Sequence, residues 1–122
     1  MIGYTTLGTN DLKAAGEFYD KLFEIIGAKR FMADDHIILW ATKPGIGMFA
    51  VITPNDEKTA TVGNGTMTAF AVDDIDTLKQ LHAKVLELGG KDEGEPGLRG
   101  ENYYFAYARD LEGNKMAFYC TV

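Results

Sequence analysis

The sequence predicts an α+β fold, in which two βαβββ modules form a curved mixed sheet of about eight strands with a central cup and two outer helices. Three observations carry this expectation. An amphipathic stripe of Leu12, Ala15, Phe18, Tyr19, Leu22, Phe23 and Ile26 follows one short β-type segment and precedes three more. A second stripe, Ile75, Leu78, Leu81, His82, Val85 and Leu86, occupies a similar setting later in the chain. The two series superimpose at an offset of 63 positions, which pairs Asp11 with Asp74, Leu12 with Ile75, Leu22 with Val85, Gly27 with Gly90 and Tyr4 with Met67.

Each element has a local reason. Ile2 to Thr9 is short-chained and β-tolerant, and Asn10-Asp11 offers a side-chain oxygen where the first helical stripe starts. Gly27 closes that helix, because glycine takes the left-handed conformation at a helix end without steric cost. Strands are expected over Ala28 to Met32, His36 to Thr42 and Met48 to Thr53, with breaks at Asp34-Asp35, Lys43-Pro44-Gly45 and Pro54-Asn55-Asp56. Residues 57–64 are small and polar and read as a linker, so one domain over 1–122 divides into modules at about 1–56 and 65–122. The second module begins with a strand over Thr66 to Val72, capped into a helix at Asp73-Asp74 and ended by Gly89-Gly90. Lys91 to Asn102 is charged and glycine-rich around Pro96-Gly97, and is expected to be a mobile loop after at most a short strand. Tyr103 to Arg109 and Lys115 to Thr121 form a hairpin across Leu111 to Asn114.

Bulk properties exclude several functions. The 122 residues suffice for one sizeable core at 46% hydrophobic content. A net charge of -6, from 18 acidic and 12 basic residues, opposes binding to nucleic acid or anionic lipid. No apolar run approaches the roughly 20 residues that span a bilayer, and the chain opens on a patterned strand rather than a leader. A cytoplasmic protein is expected, in keeping with a single cysteine, Cys120, that has no internal disulfide partner. Cys120 lies among Phe118, Tyr119 and Thr121 and reads as a buried structural thiol. The acidic pairs Asp34-Asp35 and Asp73-Asp74 coincide with a turn and a cap, and no phosphate-loop or dinucleotide fingerprint occurs.

The opening run Met1 to Leu12 with Phe18-Tyr19 resembles the first strand and helix of the glyoxalase/bleomycin-resistance/extradiol-dioxygenase (vicinal oxygen chelate) superfamily. The second half does so as well, through Ala69 to Asp74, Gly89-Gly90, Gly94 to Arg99, Tyr103-Tyr104 and Arg109 to Lys115. The resemblance runs nearly end to end, and implies the fold more strongly than any one reaction.

Enzymes of that superfamily usually hold a divalent metal through His or Glu on the first strand of each module and a Glu on each last strand. In this chain those positions fall on Tyr4, Met67, Ala117 and, in the first module, Ala50 or Val51. Alanine and valine have no donor, methionine is soft and neutral tyrosine is a poor ligand, so neither a metal nor another cofactor is expected. His36 and His82 lie on different elements, and their spacing does not bring them together.

The resemblance therefore implies a metal-free protein that binds a small aromatic or hydrophobic molecule, with Tyr4, Thr6, Trp40, Phe49, Met67, Arg99, Tyr104 and Ala117 as ligand-binding residues. Arg99 is expected to close over the mouth from its loop and meet an anionic group. One alternative is a lactoylglutathione-lyase-like or isomerase-type enzyme using tyrosine, with Tyr4 as the catalytic candidate, or an unconventional metal site. Another is a protein that sequesters an antibiotic. A homodimer is the expected assembly for all three.

Overall fold

The computed structural model describes residues 1–122 and contains eight strands and two α-helices. The first four strands are β1 (Tyr4–Gly8), β2 (Lys29–Ala33), β3 (Ile37–Ala41) and β4 (Met48–Ile52), with α1 (Leu12–Phe23) between β1 and β2. The second four are β5 (Thr68–Ala71), β6 (Lys91–Arg99), β7 (Tyr103–Arg109) and β8 (Lys115–Thr121), with α2 (Ile75–Glu87) between β5 and β6. The chain is thus α+β, with the module order expected from the repeat. The eight strands are hydrogen-bonded as two open four-stranded sheets, β1-β4-β3-β2 and β5-β8-β7-β6, and not as one continuous sheet. In each, the first strand runs parallel to the last and the other pairs are antiparallel. Two compact units, Met1–Val62 and Gly63–Val122, correspond to these sheets with their helices.

In the first unit the Asp11 carboxylate accepts from the Ala14 amide at 3.0 Å, satisfying one of the free donors at the start of α1. A 3-10 turn, Glu24–Ile26, follows α1, and Gly27 (φ 70°) closes it. Alternation along the strands then sorts the sheet into two faces. Leu7, Val51, Ile38, Phe49 and Trp40 turn toward α1 and are buried with Phe18, Tyr19, Leu22 and Phe23. Tyr19 is the hub, its ring centroid 4.8 Å from Phe49, 5.4 Å from Phe23 and 5.6 Å from Trp40. Close approach of α1 requires Gly16, since a Cβ there would lie 2.7 Å from Ile38 Cδ1.

A polar clamp closes the rim of this core. Asp20 on α1 accepts from Trp40 Nε1 at 2.9 Å and from Arg30 Nε and Nη2 at 2.9 and 2.8 Å. Burial alone would raise the Asp20 pKa, but the hydrogen bonds from Arg30 and Trp40 and the Arg30 charge outweigh it and hold the carboxyl below its ordinary range. The unfolded chain therefore takes up this proton first. Stability from Asp20 is fully present above the unfolded value of about 3.9 and is lost as the pH falls through the lower folded value. Denaturant titrations from neutral to strongly acid pH should show Asp20→Asn less stable than the parent at neutrality, with a shallower loss on the acid side. Parallel curves for the two proteins would mean that the clamp contributes nothing.

The second unit repeats the scheme with two departures. Asp74 accepts from the Thr77 amide at 2.7 Å and caps α2, but the left-handed residue beyond that helix is Gly89 (φ 98°) and not Gly90, the partner of Gly27 in the repeat. Gly90 serves close packing instead, because a Cβ there would lie 2.5 Å from both Arg109 O and Val85 Cγ1. The second departure corrects the expected mobile loop: Lys91–Arg99 is a nine-residue strand. It pairs with β7 from Lys91↔Arg109 to Arg99↔Tyr103, with register shifts between Asp92 and Gly94 and between Gly94 and Gly97. Pro96, which has no amide proton, falls in the second irregularity, where a ladder bond is not required.

The β7–β8 hairpin turns at Asp110. Its Oδ1 accepts from the Glu112 and Asn114 amides, each at 2.9 Å, and Oδ2 accepts from Asn114 Nδ2 at 3.1 Å. Both Asp110 and Asn114 are buried. Leu78, Leu81, His82 and Val85 of α2 and Ala106, Ala108, Met116, Phe118 and Cys120 of the sheet form the buried core of this unit.

Candidate functional site

The faces turned away from the helices hold the candidate site. On the second sheet, register places Ala69, Ala117 and Tyr107 side by side, with Phe105 beside Tyr119 and Tyr103 beside Thr121. Tyr103, Phe105, Tyr107 and Tyr119 therefore stand together on one face, and neighbouring rings stack. The Phe105 and Tyr107 centroids are 5.5 Å apart at 8°, those of Phe105 and Tyr119 5.3 Å apart at 17°, and Tyr103 lies 6.4 Å from Tyr119. Tyr103 is 45% exposed, and the other three are half-buried. Gly94 opposite Tyr107 gives the ring room, since a Cβ there would lie 2.8 Å from Tyr107 Cδ2.

Charged groups border this aromatic shelf. Arg99 Cζ lies 5.8 Å and Lys115 Nζ 5.4 Å from the Tyr107 centroid. Arg109 Nη2 donates to Glu93 Oε1 at 3.1 Å and Nη1 to Gly113 O at 3.0 Å. That hydrogen bond and the positive charges of Arg109 and Lys115 keep the Glu93 carboxyl below its usual range.

The eight residues expected to bind ligand divide between faces. Ala117 lies on the shelf side beside Tyr107 but is fully buried, Arg99 reaches the shelf from β6, and Met67, exposed, continues the Ala69 row just before β5. Tyr4 and Thr6, both exposed, occupy the corresponding helix-free face of the first sheet. Trp40 and Phe49 do not belong with them. They lie directly opposite each other on the α1 side, Trp40 is 1% exposed, and its indole N–H is engaged by Asp20. Tyr104 pairs with the buried Cys120 on the α2 side of its sheet, so it too is turned away from the shelf. Arg99 is part of a strand and not of a loop. Sequence reasoning missed Tyr103, Phe105 and Tyr107 as members of the helix-free aromatic face. Their odd-numbered alternation was the available signal, though parity alone does not say which face meets the helix.

The positions implied for a metal do not fit one. Tyr4, Met67, Ala50 and Ala117 present no imidazole or carboxylate, and Val51 is turned toward α1. No group of three or more His, Cys, Asp or Glu converges to hold an ion. Each histidine is engaged locally: His36 Nδ1 shares a 2.6 Å hydrogen bond with Thr53 Oγ1, and His82 Nε2 one of 2.9 Å with Asp92 Oδ1. Two clefts in the first unit hold none of the eight residues. One of about 550 Å³ is polar, lined by Thr9, Asn10, His36 and Thr53 among others, and one of about 390 Å³ lies by Lys29, Phe31 and Pro44.

Comparison with known proteins agrees with this architecture. Residues 1–118 match the family model described as Glyoxalase/Bleomycin resistance protein/Dioxygenase superfamily. A glyoxalase/bleomycin resistance protein from Albidiferax ferrireducens T118 is 32% identical, with a TM-score of 0.90 and 98% of each chain covered. A glyoxalase/bleomycin resistance protein/dioxygenase family enzyme from Burkholderia phytofirmans PsJN has 18% identity and a TM-score of 0.81, again over 98% of each chain. A lactoylglutathione lyase from Agrobacterium tumefaciens, at 20% identity and a TM-score of 0.70 over 98% of this chain and 92% of that one, shares the fold. A search of curated proteins found no match. No helix is long and apolar enough to cross a membrane. With the paired βαβββ units, the match over residues 1–118 and the 32% identical relative, the chain belongs to the glyoxalase/bleomycin resistance protein/dioxygenase superfamily.

Proposed function

We propose that this protein binds a small, flat, largely apolar molecule on the aromatic shelf of the second sheet without the help of a metal. The observation that carries the reading is the set of four partly exposed rings, Tyr103, Phe105, Tyr107 and Tyr119, gathered on one helix-free face. Aromatic faces of this kind hold planar ligands by stacking, while the tyrosine hydroxyls supply orienting hydrogen bonds. Met67 belongs to the same site as an adaptable apolar contact, and Ala117, itself fully buried, is the small residue beneath the rings. Tyr4 and Thr6 are proposed as ligand contacts of the first sheet's own helix-free face, considered by itself.

The protein is proposed to act in the cytoplasm, where a buried unpaired thiol such as Cys120 stays reduced. It is proposed to do so as a homodimer, because β2 is an edge strand whose five residues are all exposed, Phe31 and Met32 among them. Sedimentation showing only monomer at working concentrations would remove that assembly.

Calorimetric titration with a neutral aromatic probe, 2-naphthalenemethanol, tests the site. Saturable binding that persists with chelator present is expected, weakened about tenfold or more in the Tyr107→Ala, Tyr119→Ala double variant, as the loss of two stacking partners implies. Absence of binding, or binding abolished by chelator, would overturn the reading.

A further inference from the structure

The two cations beside Tyr107 narrow the ligand class. Arg99 and Lys115 reach the same ring from different strands, β6 and β8, and both lie within 6 Å of its centroid. Backbone design makes room for the first. Gly97 has no side chain, and a Cβ there would lie 2.8 Å from Arg99 Nη1, so the guanidinium folds back over that glycine toward Tyr107. Two carbonyls hold it in place: Nη1 donates to Leu98 O at 3.2 Å and Nη2 to Glu95 O at 3.0 Å. These neutral partners orient the group without cancelling its charge.

Neither cation is locked in an ion pair. The ion pairs of the chain are Lys13–Glu17, Arg30–Asp20, His82–Asp92, Lys84–Glu87 and Arg109–Glu93, and neither Arg99 nor Lys115 is among them. The nearby carboxylate of Glu93 accepts its hydrogen bond from Arg109, while Lys115 acts on it only through charge at longer range. In a chain of net charge -6, Arg99, Lys115 and Arg109 against the one carboxylate of Glu93 form a local reversal of sign at one end of the aromatic shelf. A ligand that stacks on the rings and carries a negative group at its edge would meet both at once, and charge-assisted hydrogen bonds of that kind are stronger than neutral ones.

We propose that the shelf selects a planar aromatic anion, with the rings on Phe105, Tyr107 and Tyr119 and the acidic group (carboxylate, sulfonate or phosphate) held between Arg99 and Lys115. This rests on the shelf being the ligand site and adds the charge of the ligand to that reading.

A matched series of probes separates the two claims. The parent protein is titrated with 2-naphthoate, 2-naphthalenemethanol and 2-naphthylmethylamine at low salt, with ring signals of the tyrosines followed by NMR to report where each binds. The naphthoate should bind at least about tenfold tighter than the alcohol, and the amine weakest of the three. Arg99→Met and Lys115→Met, each checked for folding by circular dichroism, should bring the naphthoate-to-alcohol ratio down toward one. Added salt should lower the same ratio. Equal binding of anion and alcohol, or a preference for the amine, would overturn the charge assignment while leaving the shelf as a site. Naphthyl phosphate and naphthalene sulfonate in place of the carboxylate distinguish the acidic groups, and failure of all three to exceed the alcohol overturns the proposal. If no probe perturbs the tyrosine signals, the shelf itself is not the site.

Discussion

Trp40→Ala is expected to cost about 3–5 kcal/mol of folding stability, the usual toll for emptying a core position of its largest side chain. The indole is enclosed by Tyr19, Phe23 and Phe49, with centroids 5.6, 5.7 and 6.2 Å away, and its N–H is one of three donors to Asp20. Truncation would therefore open a cavity under α1 and loosen the clamp that joins the helix to β2 and β3. Against a total stability of typically 5–15 kcal/mol, that is a large fraction. Urea denaturation of the parent and variant reads it directly, with ligand titration as the companion measurement. A variant of near-parental stability that had lost affinity for the aromatic probe would return Trp40 to the binding site and contradict its placement in the core.

Asp110→Ala is expected to cost about 3 kcal/mol, through a different mechanism. The carboxylate is buried and accepts from two backbone amides and from Asn114 Nδ2. Alanine would remove the charged acceptor from the Glu112 and Asn114 amides and from Asn114 Nδ2, and hydrogen bonds to a charged group contribute about 1.5–3 kcal/mol each. The hairpin presents Tyr107 and Tyr119 on neighbouring strands, so loss of its turn should also broaden their ring signals. Asp110→Asn keeps one acceptor oxygen and should recover part of the loss. Denaturation midpoints of the two variants that match the parent would show that the turn is held by its backbone bonds alone, Asp110 N to Asn114 O and Gly113 N to Asp110 O.

Much of the fold was legible in the chain because its signals are local. A helix cap acts within three residues, so Asp11 and Asp74 mark the starts of α1 and α2 without reference to anything distant. The stripe of α1 and the glycine that closes it are likewise short-range, as is the β7–β8 hairpin, whose bounds agree with those expected. The repeat added topology, because two similar series of elements imply two similar sheets.

What tertiary structure alone decided was pairing and facing. The Lys91–Arg99 segment has poor strand propensity, yet it is a strand because β7 supplies hydrogen-bond partners and two register shifts absorb Glu93 and the Glu95-Pro96 pair. The site residues divided for a related reason. Alternation told that Tyr103, Phe105 and Tyr107 share a side and that Tyr104 takes the other, but the side covered by α2 depends on where the helix docks, a contact between residues far apart in sequence. For the same reason Trp40 and Phe49 look like pocket residues in the chain and are core residues in the fold. The family and the module order were thus written in local pattern, whereas the aromatic shelf and its two flanking cations exist only after β6, β7 and β8 are brought into register.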